Sequence, residues 1–145
     1  AQVRVMTIHQ AKGLEFDIVV LPELDGDLIQ TLSGTIGLRD AIDKPPRALL
    51  RYIGKDSWPL LPDEWQRCFS EQIEAKFTES MCLLYVALTR ARQCLEVVVQ
   101  PAKHAAPTSK TASALLYHAT SCETDATEPN LTWFELGNPS WDAAP

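Results

Sequence analysis

The chain has 145 residues, 46% of them hydrophobic and 22% charged, which is enough for one packed core and not comfortably for two. No stretch approaches the roughly 18 uninterrupted apolar residues that cross a membrane as a helix. Four cysteines with no C-x-x-C pair and no histidine at ligand spacing argue against a metal site and read as free thiols. A net charge of −6 and a pI near 5.0 argue against tight autonomous nucleic-acid binding, which is ordinarily carried by a basic surface, but leave room for a few directed contacts inside a larger machine.

The chain opens directly in an apolar, alternating pattern with no leader, as a piece entered in mid-fold does. Residues 3–8, VRVMTI, alternate and are rich in β-branched side chains, which predicts a strand. Residues 9–16, HQAKGLEF, read as a polar turn with at most one turn of helix. Residues 17–21, DIVVL, are a short apolar run ended by Pro22, as expected of a strand buried on both faces of a parallel sheet. From 23 to 69, Gly, Pro and Asp recur every few residues, predicting an irregular insertion with short strands or turns; Asp63 and Glu64 after Pro62 are able to open a helix. Residues 70–91 form the clearest helix. Phe77, Met81, Leu84, Leu88 and Ala91 make an apolar stripe in steps of three or four, while Glu79, Leu83, Val86 and Arg90 form a second row; Leu84, Tyr85 and Leu88 are expected in the core. Residues 94–99 return as a strand. A linker at 101–110, a short helix at 111–118 and a loosely docked acidic tail with spaced aromatics complete the chain. Strand, turn, strand, insertion, helix and strand make an α/β pattern too short for a full nucleotide-binding sheet. The domain expectation is one unit over 1–100, containing the insertion 23–69, followed by a linker and tail over 101–145.

Two segments carry a resemblance. Val5-Met6-Thr7-Ile8-His9-Gln10-Ala11-Lys12-Gly13-Leu14-Glu15-Phe16, followed by Ile18-Val19-Val20-Leu21, resembles motif V of the UvrD/Rep/RecB helicases, with its T-x-H-x-x-K-G-L-E core. Leu83-Leu84-Tyr85-Val86-Ala87-Leu88-Thr89-Arg90-Ala91-Arg92 resembles motif VI of the same family, and the two occur in the family's order. Motif VI there opens with two acidic residues and has a basic one just before Leu-Leu-Tyr. Only Glu79 matches here, with Ser80 and Cys82 in the other places.

The resemblance implies a partial RecA-like (P-loop NTPase-type) α/β domain, with a mainly parallel sheet flanked by helices: the C-terminal part of the second motor domain. The G-x-x-x-x-G-K-[ST] loop and the acidic Mg²⁺-binding strand are not in this sequence; the family carries them in the first motor domain, and inserts an accessory domain just upstream of motif V. ATP and Mg²⁺ are the implied cofactors, with the metal's ligands in that first motor domain of the same parent chain.

The family's residue roles carry over by motif position. Arg90 is the arginine finger, which stabilises charge developing on the transferring phosphoryl group and is worth roughly 10³–10⁵ in rate. Glu15 reaches the ribose hydroxyls, a carboxylate being suited to accept from a diol. Gly13 lets the backbone approach the nucleotide. Thr7 and His9 contact single-stranded DNA, by a hydroxyl donating to phosphate and an imidazole stacking or hydrogen-bonding. Lys12 suits a phosphate of either DNA or ATP. Judged without the resemblance, each is an ordinary turn or surface residue, and Arg92 stays a surface charge.

The function implied is a fragment of an ATP-dependent 3′–5′ DNA helicase or translocase of repair or recombination, inactive alone, cytoplasmic and nucleoid-associated in a bacterium, with no membrane partner. Its partners are single-stranded DNA, the first motor domain and, for the helicase–nuclease (RecB/AddA) kind, a partner subunit. The segments Trp133-Phe134-Glu135-Leu136-Gly137 and Asn138-Pro139-Ser140-Trp141 favour that kind over a simple UvrD-type repair helicase, because they look like a linker region toward a nuclease domain. The alternative is a degenerate helicase-like domain kept as a non-catalytic scaffold or DNA clamp, which the acidic charge and the altered start of motif VI favour.

Overall fold

A computed structural model describes residues 2–29, 31–41, 43–99, 110–120, 132, 134–138 and 140–141. They gather into two compact units, one formed by the described residues of 1–28 and 81–145 and the other by those of 29–80.

In the first unit, helix α1 (Ile8–Ala11) is a single turn closed by a capping box. The Thr7 hydroxyl accepts from the Gln10 amide, and the Gln10 side chain accepts from the Thr7 amide. Strand β1 (Phe16–Leu21) pairs in parallel with β4 (Ala91–Val97). β1 ends at Pro22, which has no amide hydrogen to donate, and at Glu23, whose φ of 61° turns the chain away.

Residues 3–8 do not form the expected strand. Val3 and Val5 are 89% and 97% exposed, and no described residue pairs with them. Alternation is a pattern that only a neighbouring strand turns into structure. The expected burial of 17–21 on both faces is corrected as well: Ile18 and Val20 are exposed while Val19 and Leu21 are half-buried. Among the described residues β4 alone pairs with β1, so the other edge of β1 has no strand beside it.

The second unit holds the stretch expected to be irregular. β2 (Thr35–Leu38) and β3 (Ala48–Arg51) form an antiparallel pair, with Ile36 opposite Leu50. A Cβ on Gly37 would stand 2.9 Å from the Pro46 Cβ, so this strand position admits only glycine while the proline packs there. A 3₁₀ turn (Lys55–Leu60) leads into helix α2 (Asp63–Leu88). Leu32, Ile36 and Phe69 are buried at the centre of this unit. Phe69 is 0% exposed, and the rings of Tyr52, Trp58 and Trp65 lie 5.3, 5.5 and 6.0 Å from it in edge or tilted arrangements. Arg47 joins Asp40 at 2.9 Å and Glu64 at the start of α2, and the Glu64 carboxylate, reinforced by Asp40, holds the guanidinium above its usual pKa. Burial, with the nearby Glu71 carboxylate, pushes the Cys68 thiol up, so this cysteine behaves as a small apolar side chain. Cys68, Cys82 and Cys94 are free.

α2 starts seven residues before the expected 70 and stops three before the expected 91. Asp63 and Glu64 in its first turn suit the positive end of the helix dipole. At the end of α2 the Thr89 hydroxyl shares the Tyr85 carbonyl with the Thr89 amide, at 2.8 and 3.1 Å, while the Arg90 amide turns to the Ala87 carbonyl at 3.4 Å and Arg90 Nε donates to the Val86 carbonyl at 3.0 Å in its place. Leu84 and Ala87 are buried, whereas Tyr85, expected in the core, is 68% exposed. One residue beyond Leu84 is rotated about 100° around the helix axis, away from the buried side.

The C-terminal helix α3 (Ala112–Ala119) agrees with the expected 111–118. Thr111 caps it, Ser113 is 0% exposed and donates to Asp25 Oδ1 at 2.7 Å, and the Ser113 amide donates to the Leu24 carbonyl at 3.0 Å. Those bonds fix the helix start to the segment that follows β1. The expected linker at 101–110, except Lys110, and the tail positions 121–131, 133, 139 and 142–145 lie outside the described residues. Among the described residues no helix is long and apolar enough to cross a membrane.

Candidate functional site

The parallel register sets Phe16 beside Ala91, and the Phe16 amide donates to the Arg90 carbonyl at 3.0 Å. The residues that enter the two strands are thereby brought side by side. Leu14 and Glu15 belong to the segment resembling motif V, Thr89 and Arg90 to the segment resembling motif VI. The candidate site therefore lies where β1 and β4 begin. Of the expected site residues, Thr7, His9 and Lys12 follow from the sequence at the C-terminal end of a strand over 3–8 and in its loop, and that strand is not formed.

Gly13 positions the first segment. Lys12 has φ −61° and ψ 123°, Gly13 has φ 83°, and the Leu14 amide donates to the Ala11 carbonyl at 3.0 Å. This is a type II turn with Gly13 at its third position, where a positive φ is required. No protein atom lies within 4 Å of a Cβ built on Gly13, so within the chain the need for glycine is conformational rather than steric. The turn aims the Leu14 carbonyl at Arg90, whose Nη1 donates to it at 3.2 Å.

Arg90 is the best-held side chain of the site. Nε donates to the Val86 carbonyl at 3.0 Å, Nη1 to the Leu14 carbonyl, and Nη2 to the Thr89 hydroxyl at 3.0 Å. A guanidinium has five N–H donors, so these three bonds fix its plane and leave two for an anion. Arg90 lies past the end of α2 rather than on the helix, which the expected second row had implied.

Glu15 is exposed and stands 3.8 Å from Arg92 Nε, in a pair whose side chains are 66% and 64% exposed. Such a pair holds its members weakly, and the carboxylate stays available to a hydroxyl donor. Thr7 is used structurally as the cap of α1, but its hydroxyl there acts as acceptor and keeps its own hydrogen to donate. His9 and Lys12 are exposed, one on α1 and one at its C-terminal cap. The structure thus brings Gly13, Glu15 and Arg90 together through Leu14, with Thr7, His9 and Lys12 on the adjoining turn. Sequence reasoning misses Thr89; its contact with Arg90 is visible only because the helix stops at Leu88, and the sole sequence signal is its place next to the arginine.

Two free donors on a fixed guanidinium beside an exposed carboxylate and a glycine turn fit a nucleotide's phosphate and diol. For a divalent cation the donor set does not fit: among the described residues, no His, Cys, Asp or Glu side chains gather in a group of three or more able to hold a metal.

Comparisons with known proteins agree on the family. Residues 1–100 match the family described as the UvrD-like helicase C-terminal domain. The chain is similar to an ATP-dependent helicase/nuclease subunit of Leuconostoc mesenteroides, 41% identical over 98 residues that cover 66% of this chain and 8% of that protein. It is similar to the protein of the same name from Exiguobacterium sibiricum, 40% identical over 104 residues, covering 66% and 8%. It is also similar to the RecB subunit of the RecBCD enzyme of Haemophilus influenzae, 34% identical over 90 residues, covering 62% and 6%. The chain thus spans less than a tenth of the length of these relatives. No solved structure matches it. With a family match over 100 of 145 residues and both motif segments meeting at one place in the fold, the chain belongs to the UvrD-like helicase C-terminal domains.

Proposed function

We propose that this chain works as part of an ATP-driven 3′–5′ DNA helicase of the helicase–nuclease kind, supplying half of the ATP site and part of the single-stranded DNA track. The observation that carries the reading is the Arg90–Leu14 bond, which ties the segment resembling motif VI to the one resembling motif V. The names of the similar proteins support the helicase–nuclease kind.

In this reading the two free donors of Arg90 meet the γ-phosphoryl oxygens as negative charge grows on them. A guanidinium already fixed by three bonds does so without reorganising. Glu15 accepts from the ribose hydroxyls, and Gly13 shapes the turn that places it. Thr7 and His9 hold the DNA backbone or a base, and Lys12 meets a phosphate of DNA or of ATP. ATP's remaining phosphate contacts belong to the first motor domain, as does Mg²⁺, and none of this chain's residues is given a part in holding the metal. Because the Leu14 carbonyl touches Arg90, a shift of the α1 turn on DNA is passed to the phosphate-facing arginine. Bacterial cytoplasm, at the nucleoid, is the compartment where such work is done, and a partner subunit belongs to the assembly.

The isolated chain is expected to show no ATPase activity with or without single-stranded DNA, because half of the site is missing; DNA-stimulated turnover by the pure chain would overturn the reading. In the full-length protein, Glu15→Ala is expected to raise the KM for ATP by about tenfold while lowering kcat less, since a ribose contact is made equally in the ground and transition states. A kcat effect larger than the KM effect in steady-state assays contradicts the ribose role. The scaffold or clamp alternative is favoured by the acidic charge and by Ser80 and Cys82 at the start of motif VI. It requires full-length protein to bind DNA without hydrolysing ATP.

A further inference from the structure

We infer that Thr89 is a positioning residue for Arg90, holding its guanidinium by a side-chain hydrogen bond whose direction is set by the end of α2. The inference rests on the arginine-finger reading above and goes one residue beyond it. The Thr89 hydroxyl lies 2.8 Å from the Tyr85 carbonyl and 3.3 Å from the Val86 carbonyl, and both of these only accept. Its single hydrogen is therefore committed to the helix end, and its lone pairs are turned outward. Arg90 Nη2 donates to that oxygen at 3.0 Å. The other two bonds of Arg90 go to backbone carbonyls, at Val86 and Leu14. Thr89 is thus the side-chain support of the guanidinium among its recorded contacts, and the one a substitution is able to remove.

Thr89 is itself exposed, so its side chain does not serve packing. A helix stop alone is equally served by water or by a backbone turn at the last carbonyls. What the hydroxyl adds is orientation. Nε and Nη2 lie on the same edge of the guanidinium, so the pair of bonds to Val86 and Thr89 holds that edge against the helix end, and with Nη1 on the Leu14 carbonyl one hydrogen on each Nη is left over.

The test uses the full-length protein with four variants: Thr89→Val, which keeps shape and loses the hydroxyl; Thr89→Ser, which keeps the hydroxyl; Arg90→Ala; and the double variant of Thr89→Val with Arg90→Ala. Steady-state ATPase is measured at saturating single-stranded DNA. Thr89→Val is expected to lower kcat on the order of tenfold, the scale of one hydrogen bond to a charged group, with KM for ATP within about twofold. Thr89→Ser restores the rate, and Thr89→Val causes no further loss once Arg90 is gone. If Arg90→Ala collapses the rate but Thr89→Val leaves it unchanged, or lowers it equally in both backgrounds, Thr89 only stops the helix and the inference fails alone. If Arg90→Ala itself hydrolyses ATP normally, the finger reading fails and this one with it. Thr89→Ala serves in place of Thr89→Val if the valine variant does not fold.

Discussion

Arg90→Ala in the full-length protein is expected to lower kcat for ATP hydrolysis by about 10³-fold or more while leaving nucleotide affinity nearly unchanged. The asymmetry follows from when the charge appears. In the ground state the phosphates are held by the first motor domain, and the two free donors of Arg90 add little. Charge on the transferring group reaches its maximum in the transition state, and only interactions that strengthen there accelerate the reaction. Arg90→Lys is expected to rescue little. A lysine has three donors on a compact ammonium and no planar fork, so it cannot bond to the Val86 carbonyl, the Leu14 carbonyl and the Thr89 hydroxyl and still present two donors outward. Of the carbonyls released by Arg90→Ala, Leu14 lies in an exposed segment and Val86 in the half-buried last turn of α2, where water replaces the guanidinium, so thermal unfolding shifts little and the kinetic effect is separable from folding. The measurement pairs steady-state ATPase at saturating DNA with an equilibrium nucleotide-binding assay. A near wild-type turnover makes Arg90 an ordinary helix-end arginine and removes the mechanism.

Phe69→Ala is expected to be the most destabilising single change, costing about 3–5 kcal/mol, because it opens a cavity in a core too small to close around it. Phe69 is fully buried, and three aromatic rings and two aliphatic side chains, Leu32 and Ile36, converge on it. The loss is confined to the unit of residues 29–80, so urea unfolding followed by tryptophan fluorescence reads it directly: Trp58 and Trp65 border the cavity and redden as water enters. Phe69→Leu, which refills most of the volume, is expected to recover more than half of the loss. An unchanged midpoint for Phe69→Ala would mean that this aromatic cluster does not hold the unit together.

The candidate site is legible in the sequence as a set of residues and not as an arrangement. Thr7, His9, Lys12, Gly13, Glu15 and Arg90 stand out because each occupies a position in a long, ordered motif. That Gly13 requires a positive φ follows from a type II turn, which the sequence K-G-L permits and the folded chain adopts. The contact of Arg90 with Leu14 joins residues 76 apart, and no local pattern encodes such a separation.

The α/β class, β1, the body of α2, β4 and α3 were determined by the sequence itself, because apolar periodicity, Pro22 and Asp63-Glu64 are local signals that act on their immediate neighbours. Tertiary structure decided the rest. Val3 to Ile8 carry a strand's alternation yet stay unpaired, since pairing depends on a neighbour and not on the segment. Residues 29–69 of the second unit read as punctuation in the sequence because its core is assembled from residues as far apart as Leu32 and Phe69. At the end of α2 the Arg90 side chain that takes the Val86 carbonyl is also held by the Leu14 carbonyl, 76 residues away. Between Phe16 and Ile18 the register with β4 shifts from Ala91 to Cys94, one residue more on β4 than on β1. A ladder takes up such an extra residue as a bulge, and whether it does so depends on both strands at once.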